Sequence, residues 1–254
     1  MSDFDAPATI DAFWAARQRG EWFPAAWNDK LTNDQAYQVL FGIMDRRLAA
    51  GERQIGWKVG LTSKAIQAQF QVHEPVFGCI LESRPSGHVF APRDLIAPGF
   101  ENELCLRLGC DLSGPITRDQ ARAAVDAVYP SLEIIETRGD LTRQLALALA
   151  DNAQQKTVIL GAPVPLPAEL ETIRATVTID GQTAGTGTGD AVLGNPLHSL
   201  MWLSEKLAAF GRGLKAGDIV MSGSFTRQFP ILPGNKIRCD FSGVGAVETS
   251  MTSA

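Results

Sequence analysis

The spacing of apolar residues divides this chain into a helical N-terminal portion and a strand-rich remainder. Thr32 and Gln35 have the spacing of a helix capping box. The apolar residues behind them recur at helical intervals: Ala36, Val39, Leu40, Ile43 and Leu48. Gly51 is predicted to end this helix. The next segment, GWKVGLTSKAIQAQF, is predicted to begin as a short strand and to become a helix from about Ser63.

From residue 75 onward, short apolar runs alternate with Pro and Gly, which is typical of strands joined by turns. The predicted strands are ENELCLRL, SLEIIET, DIVMSGS, KIRCDF and GAVETSM. Helices are predicted over residues 117–128 and from Asn195 and Pro196 onward. The expected fold class is therefore α+β, with a mixed, mostly β core over residues 71–254 and a small helical portion over residues 1–70.

Composition limits the possible partners. The chain has 254 residues, of which 45% are hydrophobic and 20% charged, as in an ordinary globular protein with a sizeable core. The net charge of −5 argues against nucleic acid and anionic membrane surfaces. No apolar run has the length of a membrane span, and the acidic N-terminal segment lacks the pattern of a signal peptide, so a cytoplasmic protein is expected. Four cysteines without CxxC spacing are expected to be free thiols.

The stretch ENELCLRL places two carboxylates on one side of a predicted strand. Residues two apart in a strand face the same way, so Glu101 and Glu103 project together. Such a pair is usually a solvated face, but a third acid, Glu133, lies between apolar neighbours in SLEIIET, where an uncompensated carboxylate is costly. Three carboxylates suit Mg²⁺ or Mn²⁺, which prefer oxygen ligands. Glu136 competes with Glu133 as the third ligand, and only one of them can face the pair.

Four further motifs have both a functional and a structural interpretation. Lys58 lies in the apolar segment GWKVGLT, where it can meet an anion. The glycines of residues 185–189 lack the full GxGxxG pattern and are interpreted as a hairpin tip. Ser222 and Ser224 follow a predicted strand and offer hydroxyl groups to a ligand, or only form a turn. His73 and Glu74 are adjacent in a predicted loop, and such a pair is more often structural than catalytic.

Taken in order, these motifs resemble a known family. GWKVGLTSKAIQAQF, EPVFG, ENELCLRL, YPSLEIIETR, DNAQQ, AVLGNPLHSL and PGNKIRCDFSGVGAV follow one another from about residue 30 to the C terminus. The chain resembles the 2-keto-4-pentenoate hydratase and 2-oxo-hepta-4-ene-dioate hydratase group of the fumarylacetoacetate hydrolase superfamily. The resemblance implies a rolled β-sheet and a metal-dependent enzyme of aromatic catabolism that acts on a small 2-oxo or 2-hydroxydienoic acid.

The resemblance also implies roles for individual residues. It implies that Glu101, Glu103 and Glu133 hold Mg²⁺ or Mn²⁺, which stabilises the enolate of the bound acid. It implies that Lys58 binds the substrate carboxylate or moves a proton. The expected reaction is ketonisation of a 2-hydroxy-2,4-dienoate followed by addition of water to the conjugated alkene.

The sequence departs from the hydratase pattern at positions that concern the substrate. Val76 stands where the hydratases commonly have an acid, so His73 and Glu74 are candidates to replace it. Gln154, Gln155 and Lys156 stand where they often have small hydroxyl residues, and Arg227 follows SGSF. Lys156, Arg227 and His73, with Ser222 and Ser224, are therefore predicted to bind the substrate and to favour a polar or anionic group at its far end.

The same sequence features are compatible with three other functions, and they predict the state of assembly. The alternatives to a hydratase are a C–C bond hydrolase of acylpyruvate-like substrates, a decarboxylase that uses the same enolate, and a weakly active partner subunit of such an enzyme. The family resemblance, together with four aromatic residues near the N terminus (Trp14, Trp22, Phe23 and Trp27), predicts a homo-oligomer.

Overall fold

The computed structural model of the chain describes residues 4–69 and 71–253, so Phe70 of the GWKVGLTSKAIQAQF motif lies outside the described residues. The helices in this part are α1 (Ala6–Gln18), α2 (Asn33–Ala49), α3 (Lys64–Gln69), α4 (Arg118–Ala124), α5 (Leu145–Ala150) and α6 (Pro196–Ala208). Short 3₁₀ turns occur at Ala25–Trp27, Pro92–Asp94, Asn152–Gln154, Leu170–Thr172 and Gly189–Ala191.

The strands in the described residues are β1 (Gly56–Gly60), β2 (Val76–Ile80), β3 (Ser83–Pro85), β4 (His88–Phe90), β5 (Pro98–Leu108), β6 (Val125–Glu136), β7 (Gln155–Leu160), β8 (Arg174–Ile179), β9 (Gln182–Thr188), β10 (Ile219–Ser224), β11 (Phe229–Pro230), β12 (Lys236–Phe241) and β13 (Gly245–Met251). They form two sheets. The larger has the order β2-β1-β10-β5-β6-β7-β3, with β11 paired to β5, and the smaller has the order β4-β13-β12-β8-β9.

The larger sheet is mixed and curls into a half-barrel, which confirms the predicted fold class. Strand β1 runs parallel to β10, whereas β10, β5, β6 and β7 pair in antiparallel fashion. Strand β1 belongs to the portion of residues 1–70 that was predicted to be helical, yet it lies between β2 and β10. The division at residue 70 therefore separates segments that share one sheet.

Helix α2 packs against the sheet through aromatic side chains. The rings of Tyr37 and Phe77 stack with their centroids 4.0 Å apart, and Phe41 contacts both Phe77 and Trp57. The capping box at the start of α2 is confirmed, because the Gln35 backbone N–H donates to Thr32 Oγ1 and the Thr32 N–H donates to Gln35 Oε1. These contacts fix α2 over β1 and β2, on the opposite face of β1 from Lys58.

Two predictions about local structure are wrong. Helix α4 ends at Ala124 rather than at residue 128, because the β-branched Val125 begins a long buried strand that continues to Glu136. The glycines of residues 185–189 are not the hairpin tip, which is formed by Asp180 and Gly181, both with positive φ. A Cβ atom on Gly187 would lie 1.9 Å from the Phe225 carbonyl oxygen, so glycine is required by this close approach.

The aromatic residues behind the homo-oligomer prediction find partners in their own chain. Trp14, Phe23 and Trp27 are half-buried against the main core, and Trp22 lies under the guanidinium groups of Arg17 and Arg138. A homo-oligomer stays a prediction. Light scattering at micromolar concentration is expected to give a multiple of the chain mass, and a clean monomer mass would contradict it.

Among the described residues, no helix is both long and apolar enough to span a membrane.

Candidate metal centre and active-site cavity

Three carboxylates meet where β5 and β6 run side by side. Antiparallel pairing sets Glu101 directly opposite Glu133, and Glu103 lies two residues further along β5, opposite Ser131. Cross-strand partners and residues two apart share one face of a sheet, so the three side chains project together. One oxygen from each carboxyl group lies within 4.8 Å of the others. The sequence predicted this trio, and the structure brings it together.

The surroundings of the trio are unfavourable to negative charge without a cation. Glu103 and Glu133 are fully buried, and Glu103 Oε1 and both Glu133 oxygens have no hydrogen-bond donor among the described residues. Burial, and then the nearby Glu133, raise the pKa of Glu101 to about 7. Burial also raises the pKa of Glu103 and of Glu133, against the opposing effect of Lys58. Converging buried oxygens without donors are what a hard divalent cation requires of its ligands.

The backbone of the SGS segment supports this trio. The regular pairing of β10 with β5 breaks between Met221 and Ser224, and in this irregularity the Gly223 N–H donates to Glu103 Oε2 at 2.7 Å. Gly223 has a φ of 113°, and a Cβ atom there would lie 2.5 Å from Thr62 Oγ1. Glycine is therefore required both by the backbone conformation and by the space.

Lys58 reaches the trio from a distant strand. Strands β10 and β5 lie between β1 and β6 in the sheet. Curling of the sheet nevertheless brings Lys58 Nζ to within 3.4 Å of Glu133 Oε1, with both side chains almost completely buried. Its neighbours Trp57 and Val59 point into the main core, as alternation along a strand requires. Lys58 thus supplies positive charge beside three carboxylates.

A cavity of about 510 Å³ opens beside Lys58 and Glu101. Its other lining residues are Gly60, Leu61, Val76, Ile135, Thr137, Gly139, Asp140, Leu141, Thr142, Ala153, Gln154 and Gln228. Lys58 is the one cationic side chain in this lining within the described chain. The volume suits a small molecule, and Val76 forms part of the wall where the family pattern has an acid.

A strained turn closes one side of this cavity. Asn152, Ala153 and Gln154 have φ values of 60°, 47° and 61°, a left-handed conformation that costs about 1–2 kcal/mol per residue without glycine. The Asn152 side chain compensates by donating to the Cys79 carbonyl oxygen and accepting from the Cys79 N–H. Gln154 Nε2 donates to the Gly139 carbonyl oxygen at 3.1 Å. Ala153 and Gln154 are thereby held on the cavity wall.

The two predicted hydroxyl ligands lie outside this lining. Ser222 is fully buried, its Oγ has no partner among the described residues, and its carbonyl oxygen accepts from Ser199 Oγ. Ser224 Oγ lies 3.5 Å from the Asn102 carbonyl oxygen. The group of this segment that contacts the trio is the Gly223 N–H, a backbone donor that side-chain chemistry does not reveal.

His73 and Glu74 are exposed and lie away from the trio. Glu74 Oε1 accepts a hydrogen bond from Lys206 Nζ at 2.7 Å, and His73 lines a separate surface cavity with Lys64 and Gln67. This arrangement gives no geometric support to the prediction that they replace the acid missing at Val76.

Lys156 and Arg227 also lie outside the cavity lining. Lys156 lines a second cavity on the other side of the wall. The left-handed turn at Asn152–Gln154, which precedes it, places Gln154 in the lining of the first cavity. The exposed Arg227 places its guanidinium 4.2 Å from the centroid of the Phe229 ring. The geometry therefore does not support the predicted preference for an anionic far end.

Side chains alternate along β6, so Glu133 and Glu136, three residues apart, point to opposite faces of the strand. Glu136 faces the second cavity, where it accepts hydrogen bonds from Arg138 Nη1 and from the Ile96 N–H.

Asp140 was missed by sequence reasoning, since a single acid in a polar loop carries little signal. The spacing of Asp140 and Thr142 does fit a side-chain turn, and the Thr142 N–H donates to Asp140 Oδ1 at 3.0 Å.

Taken together, the curled mixed sheet and the buried carboxylate trio define an enzyme-like scaffold with a candidate divalent-cation site facing a small-molecule cavity. Residues 62–252 match the family model described as fumarylacetoacetate (FAA) hydrolase C-terminal. The chain belongs to this family, which confirms the resemblance noted in its sequence.

Similar proteins cover nearly the whole chain. It is 34% identical to a 2-hydroxyhexa-2,4-dienoate hydratase of Comamonas testosteroni, over 88% of each chain. It is 33% identical to a 2-keto-4-pentenoate hydratase of Paraburkholderia xenovorans, over 87% of this chain and 84% of the relative. A solved 4-oxalocrotonate decarboxylase of Pseudomonas putida G7, complexed with magnesium and adipate, superposes with a TM-score of 0.90 at 31% identity, over 97% of each chain.

Proposed function

We propose that this protein is a divalent-metal-dependent hydratase that adds water to a 2-hydroxy-2,4-dienoic acid with an uncharged far end. The observation that supports it most directly is the convergence of three carboxylates, two of them fully buried, and Lys58 beside one small-molecule cavity. Similar proteins named as hydratases of such acids support the same reaction class.

Glu101, Glu103 and Glu133 would hold Mg²⁺ or Mn²⁺, since their unpartnered oxygens fit a hard cation. When bound, the ion would supply Lewis-acid stabilisation of the negative charge that develops on the 2-oxo acid. The Gly223 N–H would orient Glu103 by the hydrogen bond that it donates to Oε2. Lys58, held by Glu133, would bind the substrate carboxylate through Nζ.

The remaining lining determines which far end is accepted. Leu61, Val76 and Ile135 present apolar groups, and the acidic group in this part of the lining is Asp140. A second carboxylate on the substrate would lose water here without meeting a cation, and it would approach a like charge. The lining therefore favours an alkyl or uncharged polar group at the far end.

A direct test follows the product. Purified protein, freed of metal and then supplied with Mg²⁺ or Mn²⁺, is incubated with 2-hydroxypenta-2,4-dienoate and analysed by mass spectrometry. Hydration gives one product heavier by one water, and this is the expected result. A substrate that is recovered unchanged at every metal concentration would contradict the proposal. Two carbon fragments from an acylpyruvate would support the hydrolase instead, and CO₂ from an oxalocrotonate would support the decarboxylase.

Substrate selectivity is a separate prediction. We expect kcat/KM for 2-hydroxyhexa-2,4-dienoate to exceed that for a dienoate with a terminal carboxylate by about tenfold or more, because the second charge finds no cation in the lining. Asp140→Asn is expected to narrow this ratio, since it removes the like charge. Steady-state kinetics on the matched pair measures both effects.

The control for this prediction is Asp119→Asn, on the exposed first turn of α4. It is expected to leave the ratio of the two kcat/KM values as in the original protein. Equal use of both substrates, or a preference for the dicarboxylate, would show that a cation reaches the far end of the substrate after all.

A further inference from the structure

A second cavity lies directly behind the wall of the first. It measures about 470 Å³. The end of β6 and the chain that follows it divide the two. Ile135, Thr137 and Gly139 face the candidate active-site cavity, and Glu136 and Arg138 face the second one. This alternation is the period of an extended chain, so one backbone layer separates the two cavities.

The second cavity has more positive than negative charge. Six of its lining residues are cationic and four are acidic. The lining residues are Arg17, Trp22, Arg47, Glu52, Arg53, Leu81, Glu82, Arg93, Asp94, Leu95, Ile96, Glu136, Arg138, Asn152, Gln155 and Lys156.

All four acids already have donors. Glu52 pairs with Arg47, Glu82 with Arg84, Glu136 with Arg138, and Asp94 accepts from the Ala91 N–H. The charges of Glu52, Glu82 and Glu136 are therefore offset by fixed arginines, and Asp94 is the one acid of this lining without a cationic partner among the described residues.

Three cations remain without an acidic partner. Arg53, Arg93 and Lys156 form no ion pair with any residue that the structure describes, although every acid in the lining has a donor. They come from three separate segments: the chain before β1, the Pro92–Asp94 turn and strand β7. Three unpaired cations lining one cavity, against the single unpaired acid Asp94, favour a ligand with more than one anionic group.

The floor of the cavity is rigid, which favours a defined ligand geometry. The Arg138 guanidinium donates to Asp151 Oδ2 at 2.6 Å, to the Asp151 carbonyl oxygen and to Glu136 Oε2. Its flat face lies 5.3 Å from the centroid of the Trp22 ring, and Arg17 lies on the same ring. These groups are ordered before a ligand arrives, so little side-chain entropy remains to be lost there.

We propose that this second cavity is a binding site for a small molecule with two or more anionic oxygen groups, held by Lys156, Arg93 and Arg53. The concave shape and the surrounding acids favour a compact anion over a long one, and the net charge of −5 of the whole chain opposes a nucleic acid. Polycarboxylates and polyphosphates share the required chemistry. The site is independent of the hydratase reaction, since its three cations lie outside the lining of the candidate active-site cavity.

Isothermal titration calorimetry at low ionic strength tests the proposal, with citrate and pyrophosphate as the probes and with divalent metal removed. Saturable binding of at least one probe is expected. Lys156→Gln and Arg93→Gln together should weaken it by about tenfold or more, because each removes a charge-assisted contact. Whichever probe binds identifies the ligand as carboxylate-like or phosphate-like.

Two controls locate the binding. Lys236→Gln removes an exposed lysine of β12 and should leave the affinity unchanged. Lys58→Gln removes the cation of the first cavity and should also leave it unchanged, which separates the two sites. Thermal unfolding without ligand checks that each variant folds.

Three results would overturn the proposal. The first is the absence of saturable binding of either probe up to about 10 mM. The second is affinity that Lys156→Gln with Arg93→Gln does not change. The third is a loss of affinity in Lys58→Gln as large as in that double variant, which would assign the anion to the first cavity.

Discussion

Glu103→Gln is expected to abolish metal-dependent activity while making the metal-free protein more stable. The substitution removes one of three adjoining carboxylates, of which Glu103 and Glu133 are fully buried, and keeps the shape of the side chain. The new amide oxygen can still accept from the Gly223 N–H, and the new NH₂ group can donate to the unpartnered oxygens of Glu133. Without metal, the free energy of unfolding should therefore rise by about 1 kcal/mol or more.

The response to metal should move in the opposite direction. In the original protein, Mn²⁺ at a hundredfold excess over its Kd should add about 2.7 kcal/mol to the free energy of unfolding, because it binds the folded state alone. In Glu103→Gln, this gain and the activity should be lost, with metal affinity lower by more than about a hundredfold. Thermal unfolding with and without Mn²⁺ measures both effects.

Glu205→Gln is the matched control, because it makes the same chemical change on the exposed side of α6. It should alter neither the stability nor the response to Mn²⁺. An active Glu103→Gln variant that is still stabilised by Mn²⁺ would show that the trio is not the metal site. Loss of activity together with loss of stability in the metal-free state would show that Glu103 has a structural role.

Arg138→Ala is expected to destabilise the fold by about 3–5 kcal/mol, because it leaves two buried carboxylates without their partner. Glu136 and Asp151 both pair with this guanidinium, and all three side chains are almost completely buried. Burial already raises the pKa of Asp151 to about 6 against the opposing effect of Arg138. Without Arg138, the cation left beside Asp151 among the described residues is Arg17, whose Nη1 lies 3.6 Å from Asp151 Oδ1. Urea denaturation, with the midpoint and slope fitted together, measures the loss.

Two further variants show whether the carboxylates that lose Arg138 cause the loss of stability. Asp151→Asn added to Arg138→Ala should restore part of the lost stability, since it removes a buried carboxylate that no longer accepts a hydrogen bond from Arg138. Arg143→Ala, whose side chain is 86% exposed beside Asp140, should change the free energy of unfolding by less than about 1 kcal/mol. If the double variant is no more stable than Arg138→Ala alone, the lost stability comes from the packing of Arg138 on Trp22.

The separation of the two cavities explains why the predicted substrate contacts and the observed lining differ. Gln154, Gln155 and Lys156 are consecutive in sequence, and all three stood out as departures from the hydratase pattern. The left-handed turn at Asn152–Gln154 places Gln154 on one side of the wall, and Lys156 lies on the other. Sequence distance therefore gave no guide to which cavity each side chain enters.

Local chemistry in the sequence was sufficient for the helix starts, most strands and the shared face of Glu101 and Glu103. The capping box at Thr32 depends on residues only three apart and forms as predicted, and Thr117 and Gln120 have the same spacing and form a second one. The shared face of Glu101 and Glu103 follows from the period of a strand, and the cost of burying Glu133 points to a compensating cation. Each of these conclusions rests on contacts within one segment or on a single residue's surroundings.

Contacts between distant segments were decided only by the tertiary structure. The pairing register of β5 with β6 selected Glu133 over Glu136, and the curl of the sheet carried Lys58 across two intervening strands to Glu133. The irregularity in β10 turned the Gly223 N–H, rather than a serine hydroxyl, toward Glu103. Such contacts depend on strand order, register and curvature, which the packing of the whole chain sets and which no local pattern encodes.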